Sequence, residues 1–128
     1  MTSTPSPPLF PAQPVRGVRV LHQKINCAPQ FAVIEVDFEP AAEGFAFEVA
    51  EGLRVEYEPA TELPRFFAAA ATGIEEELGR PEYGVRLAAR VVLRDARADS
   101  FGSNERAFRV AGALAARRAL ESTGVHKP

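Results

Sequence analysis

Few side chains in this sequence have the chemistry and the spacing of a metal site. His22 and Cys27 lie five residues apart, and His126 lies close to the C-terminus. Protein zinc sites use several cysteine and histidine ligands, usually in closely spaced pairs. The sequence has one cysteine and no such histidine pair. It therefore predicts no metal site, and nothing in it indicates a cofactor.

The candidate nucleophiles are weakly supported as well. A serine nucleophile would combine Ser100 or Ser103 with His22 and Asp99, but the glycines of a nucleophile elbow flank neither serine. Ser103 is better explained as a helix N-cap, because Glu105 follows where a helix dipole favours an acid. A Walker-type phosphate loop is absent from the sequence, which excludes a GTPase. We expect that the protein is not an enzyme.

A row of arginines is the clearest charge pattern. Arg86, Arg90 and Arg94 are spaced by four residues on a candidate strand, so their side chains would share one face of a sheet. The same predicted face carries four acids, Glu35, Asp37, Glu48 and Glu56. Two interpretations stay open. Cross-strand arginine–carboxylate pairs are favoured by the number of acids, and the alternative is a stripe that contacts phosphates.

Composition sets broad limits on the function. The 128 residues are enough for one domain, and the net charge of -2 argues against a general polyanion binder. Cys27 has no second cysteine for an internal disulfide. The first residues lack the basic and apolar regions of a signal peptide, and the longest apolar runs are far shorter than a membrane span. We expect a cytoplasmic protein with no membrane partner.

The pattern along the chain predicts one folded domain between two tails. Residues 1–14 contain five prolines among serines and threonines and predict a disordered, Pro-rich tail. Residues 15–122 are predicted to form the domain, and residues 123–128 a C-terminal tail. In the domain, period-two alternation predicts strands over 15–25, 31–39, 45–49, 53–57 and 85–93. Period 3.6 predicts helices over 64–78 and 103–122.

This order of elements predicts an α+β fold of two layers, with about four antiparallel or mixed strands and two helices packed on one face. A specific resemblance then becomes visible. Leu93-Arg94-Asp95, followed by the segment from Ser103 to Gly112, resembles a loop and helix start in domain IV of translation elongation factor G. Shorter matches around residues 30–31, 39–40, 44–47, 73–78 and 83–85 fall in the same order.

The resemblance implies a two-layer split β-α-β sandwich with a left-handed crossover, standing without its GTPase. In that family, which includes ribosomal protection proteins, loops at the tip of the domain contact RNA. This sequence departs from the family in both loops. Residues 26–29 replace a glycine-rich stretch that contains an arginine, and residues 96–99 replace Gly-Ser-Tyr-His. Asp99 stands where the family has the histidine, and an acid there would repel phosphate.

The resemblance implies a non-catalytic translation-factor-like module that contacts the ribosome or structured RNA through loops 22–30 and 95–104. The expected partners are ribosomal RNA or a translation GTPase. The residues expected to bind RNA or a partner are Lys24, Asn26, Gln30, Arg94, Asp95, Arg97, Asp99 and Ser100. The alternative is a protein–protein interaction or structural module with no remaining role in translation, which would use open sheet edges and the Pro-rich tail.

Overall fold

The computed structural model describes residues 6–26 and 28–125, which form one mixed sheet covered on one face by two α-helices. Cys27 and His126 therefore lie outside the described residues. The strands are β1 (Leu9–Phe10), β2 (Val15–Lys24), β3 (Gln30–Pro40), β4 (Gly44–Val49) and β5 (Arg86–Arg97). The helices are α1 (Leu63–Leu78) and α2 (Glu105–Ser122). The predicted α+β class with two helices on one face is confirmed.

Strand β5 is the centre of the sheet. It pairs with β3 in the antiparallel direction on one side and with β4 in parallel on the other, and β2 pairs antiparallel with the far edge of β3. Helix α1 connects β4 to β5, so the two parallel strands of this β-α-β unit are direct neighbours. A bulge falls at Arg94, because Val36 is opposite Leu93 whereas Glu35 is opposite Asp95.

The alternating apolar residues of β3 and β5 build the core as their period of two predicts. Ile34, Val36 and Phe38 are fully buried, and so are Val91 and Leu93 on the neighbouring strand. Helix α2 covers them with a row of buried small and large residues: Ala107, Phe108, Ala111, Ala115, Ala119 and Leu120. The sheet's other face is left without a helix and carries most of the charged side chains.

The two helices pack in close contact through glycines. A Cβ atom on Gly73 would lie 2.0 Å from the carbonyl oxygen of Arg109, and one on Gly112 would lie 2.2 Å from that of Ala70. Both distances are far below a van der Waals contact. Any larger residue at either glycine must therefore push the helices apart.

The predicted strand over 53–57 is wrong. Leu53, Val55 and Tyr57 do point alternately towards the core, and the Tyr57 ring packs edge-on against Phe66 at 5.3 Å. The segment forms no ladder with another strand. The alternation therefore reflects an extended segment with one buried side, and Glu56 does not lie on the sheet face where it was predicted.

The structure differs from the predicted disordered tail over residues 6–14. Residues Leu9–Phe10 form β1, which pairs in parallel with the start of β5, and Phe10 is 2% exposed and packs edge-on against Phe38. Proline cannot donate a ladder hydrogen bond, but its carbonyl can accept one. The Pro8 carbonyl accepts from the Arg86 N–H at 2.8 Å. Residues 1–5 of the predicted tail lie outside the described residues.

At the other terminus, α2 ends as Gly124 predicts. Gly124 has a φ of 87°, in the left-handed region that favours glycine, and the Val125 N–H donates to the Leu120 carbonyl at 3.0 Å. Neither α1 nor α2 is long and apolar enough to cross a lipid bilayer, and the same holds for the rest of the described chain.

Candidate functional site

The two predicted loops meet at one end of the sheet, where β2 turns into β3 and β5 leads into α2. The Phe31 N–H donates to the Gly102 carbonyl at 2.8 Å, and a Cβ on Gly102 would lie 2.9 Å from the Gln30 backbone. Backbone contact this close requires glycine. We call this end, residues 22–26, 28–30 and 95–104, the tip.

The loop between β5 and α2 is held by its own polar side chains. The Asp99 Oδ1 atom accepts from the N–H groups of Phe101 at 3.0 Å and Gly102 at 2.8 Å. The Ser103 hydroxyl accepts from the Asp99 N–H and donates to the Phe31 carbonyl, both at 2.8 Å. Asp99, which was expected at the binding surface, is half-buried and fixes the loop's backbone.

The predicted helix cap at Ser103 is wrong by one residue. Asn104 is the N-cap of α2, because its side-chain oxygen accepts from the Ala107 N–H at 2.7 Å. Ser103 instead joins the loop to β3. The sequence offers two adjacent residues that are both suitable caps, and only the tertiary contact with Phe31 decides between them.

In the turn between β2 and β3, two of the expected binding residues have internal partners. The Asn26 oxygen accepts from the Ala28 N–H at 2.9 Å. Gln30 is 8% exposed, and its Oε1 atom lies 2.7 Å from Nε2 of His22. A buried polar group of this kind is held by its hydrogen bonds. Gln30 and His22 therefore stabilise the hairpin, whereas the Asn26 side chain stays accessible.

Arg94 and Asp95 belong to the open face of the sheet. The Arg94 Nε atom lies 2.8 Å from Oδ2 of Asp37, and Asp95 pairs with Arg19 at 3.0 Å. Further cross-strand pairs on this face join Arg19 to Glu35, Arg16 to Glu39, and Arg90 to Glu48. We call these pairs the sheet-face network. The ion-pair interpretation is confirmed for Arg90 and Arg94. Arg86 has no ion pair with another described residue.

The cations that remain at the tip are different. Lys24 and Arg97 are exposed, and neither has an ion pair within the described part of the chain. Ser100 is exposed between them and α2. The tip therefore presents two positive side chains beside acids, Asp95 and Asp99, that already have partners.

The tip also carries apolar side chains that the sequence analysis did not select. Phe101 is 88% exposed and Ile25 is 87% exposed, and Leu21, further along β2, is 57% exposed. These are the three most exposed large apolar residues of the described chain. A signal was available for Phe101, since an aromatic residue in a polar loop fits neither a helical nor a strand period.

Two other charged features lie away from the tip. The buried Glu77 carboxylate accepts from the Tyr83 hydroxyl and pairs with Arg80 at 3.1 Å and Arg117 at 3.5 Å. Burial, followed by this hydrogen bond, raises the pKa of Tyr83. All members of this cluster have partners, as a structural network requires.

An open groove between α1 and α2, about 880 Å³ in volume, is bordered by ion pairs that join Arg65 to Glu105 and Arg109 to Glu76. Its charges are thus largely neutralised. Across residues 6–26 and 28–125, no cluster of three or more acidic, histidine or cysteine side chains could hold a metal ion.

Comparisons with known proteins give a fold and no family. No protein-family model matches the chain, and no curated protein matches it. A crystal structure of a protein from Thermus thermophilus is similar, with a TM-score of 0.65 and 20% identity over 91% of this chain. The matched part is 17% of that protein, so this chain spans about one-sixth of its length. The similarity supports the architecture described above and nothing finer.

Proposed function

We propose that this chain is a non-catalytic, translation-factor-like module that binds structured RNA of the ribosome through its tip. The observation that carries the proposal is the contrast in charge pairing. On the sheet face the arginines of the network are neutralised by carboxylates, whereas Lys24 and Arg97 at the tip are exposed and have no acidic partner among the described residues. Phosphate contacts need cations that are free to exchange their counterions.

The rigidity of the tip supports the same proposal. The two loops are joined by the hydrogen bond from Phe31 to Gly102 and by the Ser103 hydroxyl. Binding to a loop that is already ordered loses less conformational entropy than binding to a mobile one. The acids of the tip oppose phosphate less than their number indicates, because Asp95 faces Arg19 and Asp99 binds backbone N–H groups.

The resemblance to domain IV of elongation factor G supplies the identity of the RNA, and the similarity to one-sixth of a longer protein agrees with a unit that occurs within a larger translation factor. In this proposal the protein acts in the cytoplasm, has no catalytic residues, and works beside a separate translation GTPase.

One observation favours a second candidate, a protein-binding module. Ile25 and Phe101 expose almost their whole side chains at the tip, and exposed apolar residues that cluster together often mark protein interfaces. In this case the tip would bind a protein, with Leu21 at the edge of the contact.

Co-sedimentation with purified ribosomes, repeated with protein-free ribosomal RNA, separates the two candidates. The RNA proposal expects saturable binding to both samples that weakens steeply as salt rises, because bound phosphates release counterions. Binding to ribosomes but not to the free RNA would support the protein-binding candidate. Absence of binding to either sample at low salt would contradict both versions of a ribosome contact.

A further inference from the structure

Phe101 is exposed in an unusual way, because its backbone is fixed while its ring is free. The ring is 88% exposed. Its N–H donates to Asp99 at 3.0 Å, and the next residue, Gly102, is in backbone contact with Gln30. Exposed aromatic rings cost solvation free energy. This ring is therefore presented by a rigid loop rather than left on a loose one.

The neighbours of the ring are cations. Lys24 is the cross-strand partner of Gln30, and Gly102 lies against the other side of Gln30. At the usual spacing of neighbouring strands, the Lys24 backbone is about 10 Å from that of Gly102. Arg97 lies at the end of β5, opposite Val33. The ring is thus placed between two positive side chains that have no acidic partner in the described chain.

We propose that the tip binds unpaired nucleotides, with the Phe101 ring stacked on an exposed base and with Lys24 and Arg97 contacting the phosphates beside it. This inference rests on the proposed RNA-binding function and adds the class of RNA. In a duplex the faces of the bases are covered by their neighbours, so a protein ring can stack only on bases that are unpaired or flipped out. An aromatic ring within a cationic surface is the usual arrangement in proteins that bind single strands.

The charge around the ring favours RNA over a protein partner. The centres of protein interfaces are depleted of charged residues, lysine above all, whereas Lys24 and Arg97 flank this ring. Phosphates on both sides of a stacked base would neutralise these cations, which a purely apolar protein pocket would leave unpaired.

A tryptophan substitution at Phe101 gives a direct reading of stacking, because the natural sequence has no tryptophan. F101W would be titrated with an RNA hairpin that has a loop of unpaired adenosines, and with a fully paired duplex of equal length. The expected result is strong quenching of the tryptophan fluorescence by the hairpin loop and little by the duplex. L9W is the matched control, since Leu9 is 40% exposed and pairs with Arg86 at the opposite end of the sheet.

Affinities of two further variants complete the test. F101A is expected to bind the hairpin loop about fivefold to a hundredfold more weakly, the range measured when stacking rings are removed. F101L, which keeps apolar bulk but has no ring, should lose affinity to a similar degree. Neither change should affect folding, because the side chain is almost fully exposed.

The outcomes distinguish this inference from the function on which it rests. Equal binding of hairpin and duplex, without quenching of F101W, would overturn stacking on unpaired bases while leaving RNA binding intact. Full recovery of ribosome binding by F101L, together with unchanged binding of free RNA by F101A, would identify a protein pocket as the occupant and overturn the inference. Failure of the natural protein to bind any of these RNAs would overturn the proposed function itself.

Discussion

The open face of the sheet and the tip use the same kinds of charged residue in opposite ways. On the sheet face, Arg94 contacts Asp37, which also accepts from the Gly17 N–H at 2.8 Å, so cation and anion hold neighbouring strands together. At the tip, Arg97 lies three residues further along the same strand, and no described acid pairs with it. The position on β5 therefore separates arginines that stabilise the fold from one that is available for a ligand.

The comparison teaches that neither net charge nor arginine spacing locates a binding surface. The protein carries a net charge of -2, yet the tip keeps exposed cations because its acids have other partners. What matters is which acids lie opposite each arginine in the sheet register, and the bulge at Arg94 shifts that register by one residue.

The largest effect on stability is expected from Asp37→Ala. This change removes the acceptor of the Gly17 N–H and the partner of Arg94 at a side chain that is 7% exposed. We expect the free energy of unfolding to fall by about 1–3 kcal/mol, the cost of leaving a buried donor without a partner. Urea denaturation measures it. Asp37→Asn, which keeps one acceptor oxygen, should lose less, and an equal loss in both variants would contradict this role.

A smaller loss of stability is expected from Asp99→Ala, which removes the acceptor of two backbone N–H groups at the tip. The loop is partly exposed, so water can replace part of these bonds and the loss should be about 1 kcal/mol. Unlike Asp37→Ala, this variant should also weaken RNA binding, because the loop that carries Phe101 is loosened. Unchanged binding would mean that the fixed loop has no function in recognition.

Arg90→Ala is expected to have little effect on either property. Arg90 pairs with Glu48, and both side chains are about half exposed. Pairs of this kind contribute about 0–1 kcal/mol, and the residue lies on the face that the proposal leaves without a ligand. Thermal unfolding and RNA titration would check this. A marked loss of RNA affinity would extend the binding surface from the tip onto the sheet face.

The smallest effect is a pH dependence at Glu39. The hydrogen bond from Arg16 lowers the pKa of Glu39 below its ordinary value of 4.5. A carboxyl group whose pKa is lower in the folded state stabilises the fold above its unfolded pKa, and this contribution is lost as the pH falls through the folded pKa. Between about pH 5 and pH 3, Glu39→Gln should therefore lose stability less steeply than the natural protein. Parallel pH profiles would show that the pair contributes nothing.

The parts of the structure that follow local periodicity were predictable from the sequence. The alternation of Ile34, Val36 and Phe38 predicted a strand with one buried face, and the 3.6-residue period predicted both helices, because these signals depend on one element and its burial. The arginine–carboxylate pairs were predictable as a class, since the number of acids near the row favoured neutralisation.

What could not be predicted depends on contacts between distant segments. The pairing of residues 9–10 with β5 uses a strand of two residues, too short for any periodic signal. The choice of Asn104 over Ser103 as the cap depends on the Phe31 carbonyl, 72 residues away from Ser103. The alternation over 53–57 looks like a strand because one buried side produces the same pattern, whether or not a partner strand is present.

The residues of the tip show the same division. Loops 22–30 and 95–104 were chosen through a family resemblance, and the structure brings them together. Within them, Gln30 and Asp99 have internal hydrogen bonds that only the folded chain reveals. Phe101 was missed because its ring contributes to no buried face, which is the feature that pattern analysis detects.

The central claim is that free cations at the tip, and not arginines in general, bind RNA. The most direct test compares Lys24→Ala/Arg97→Ala with Arg86→Ala, which removes an exposed arginine at the opposite end of β5. Ribosome co-sedimentation over a salt series should show the slope of log affinity against log salt reduced by about 0.9 for each phosphate contact that the tip variant loses. Arg86→Ala should keep the natural slope, and both variants should keep the natural stability. Equal slopes in all three proteins would contradict the claim.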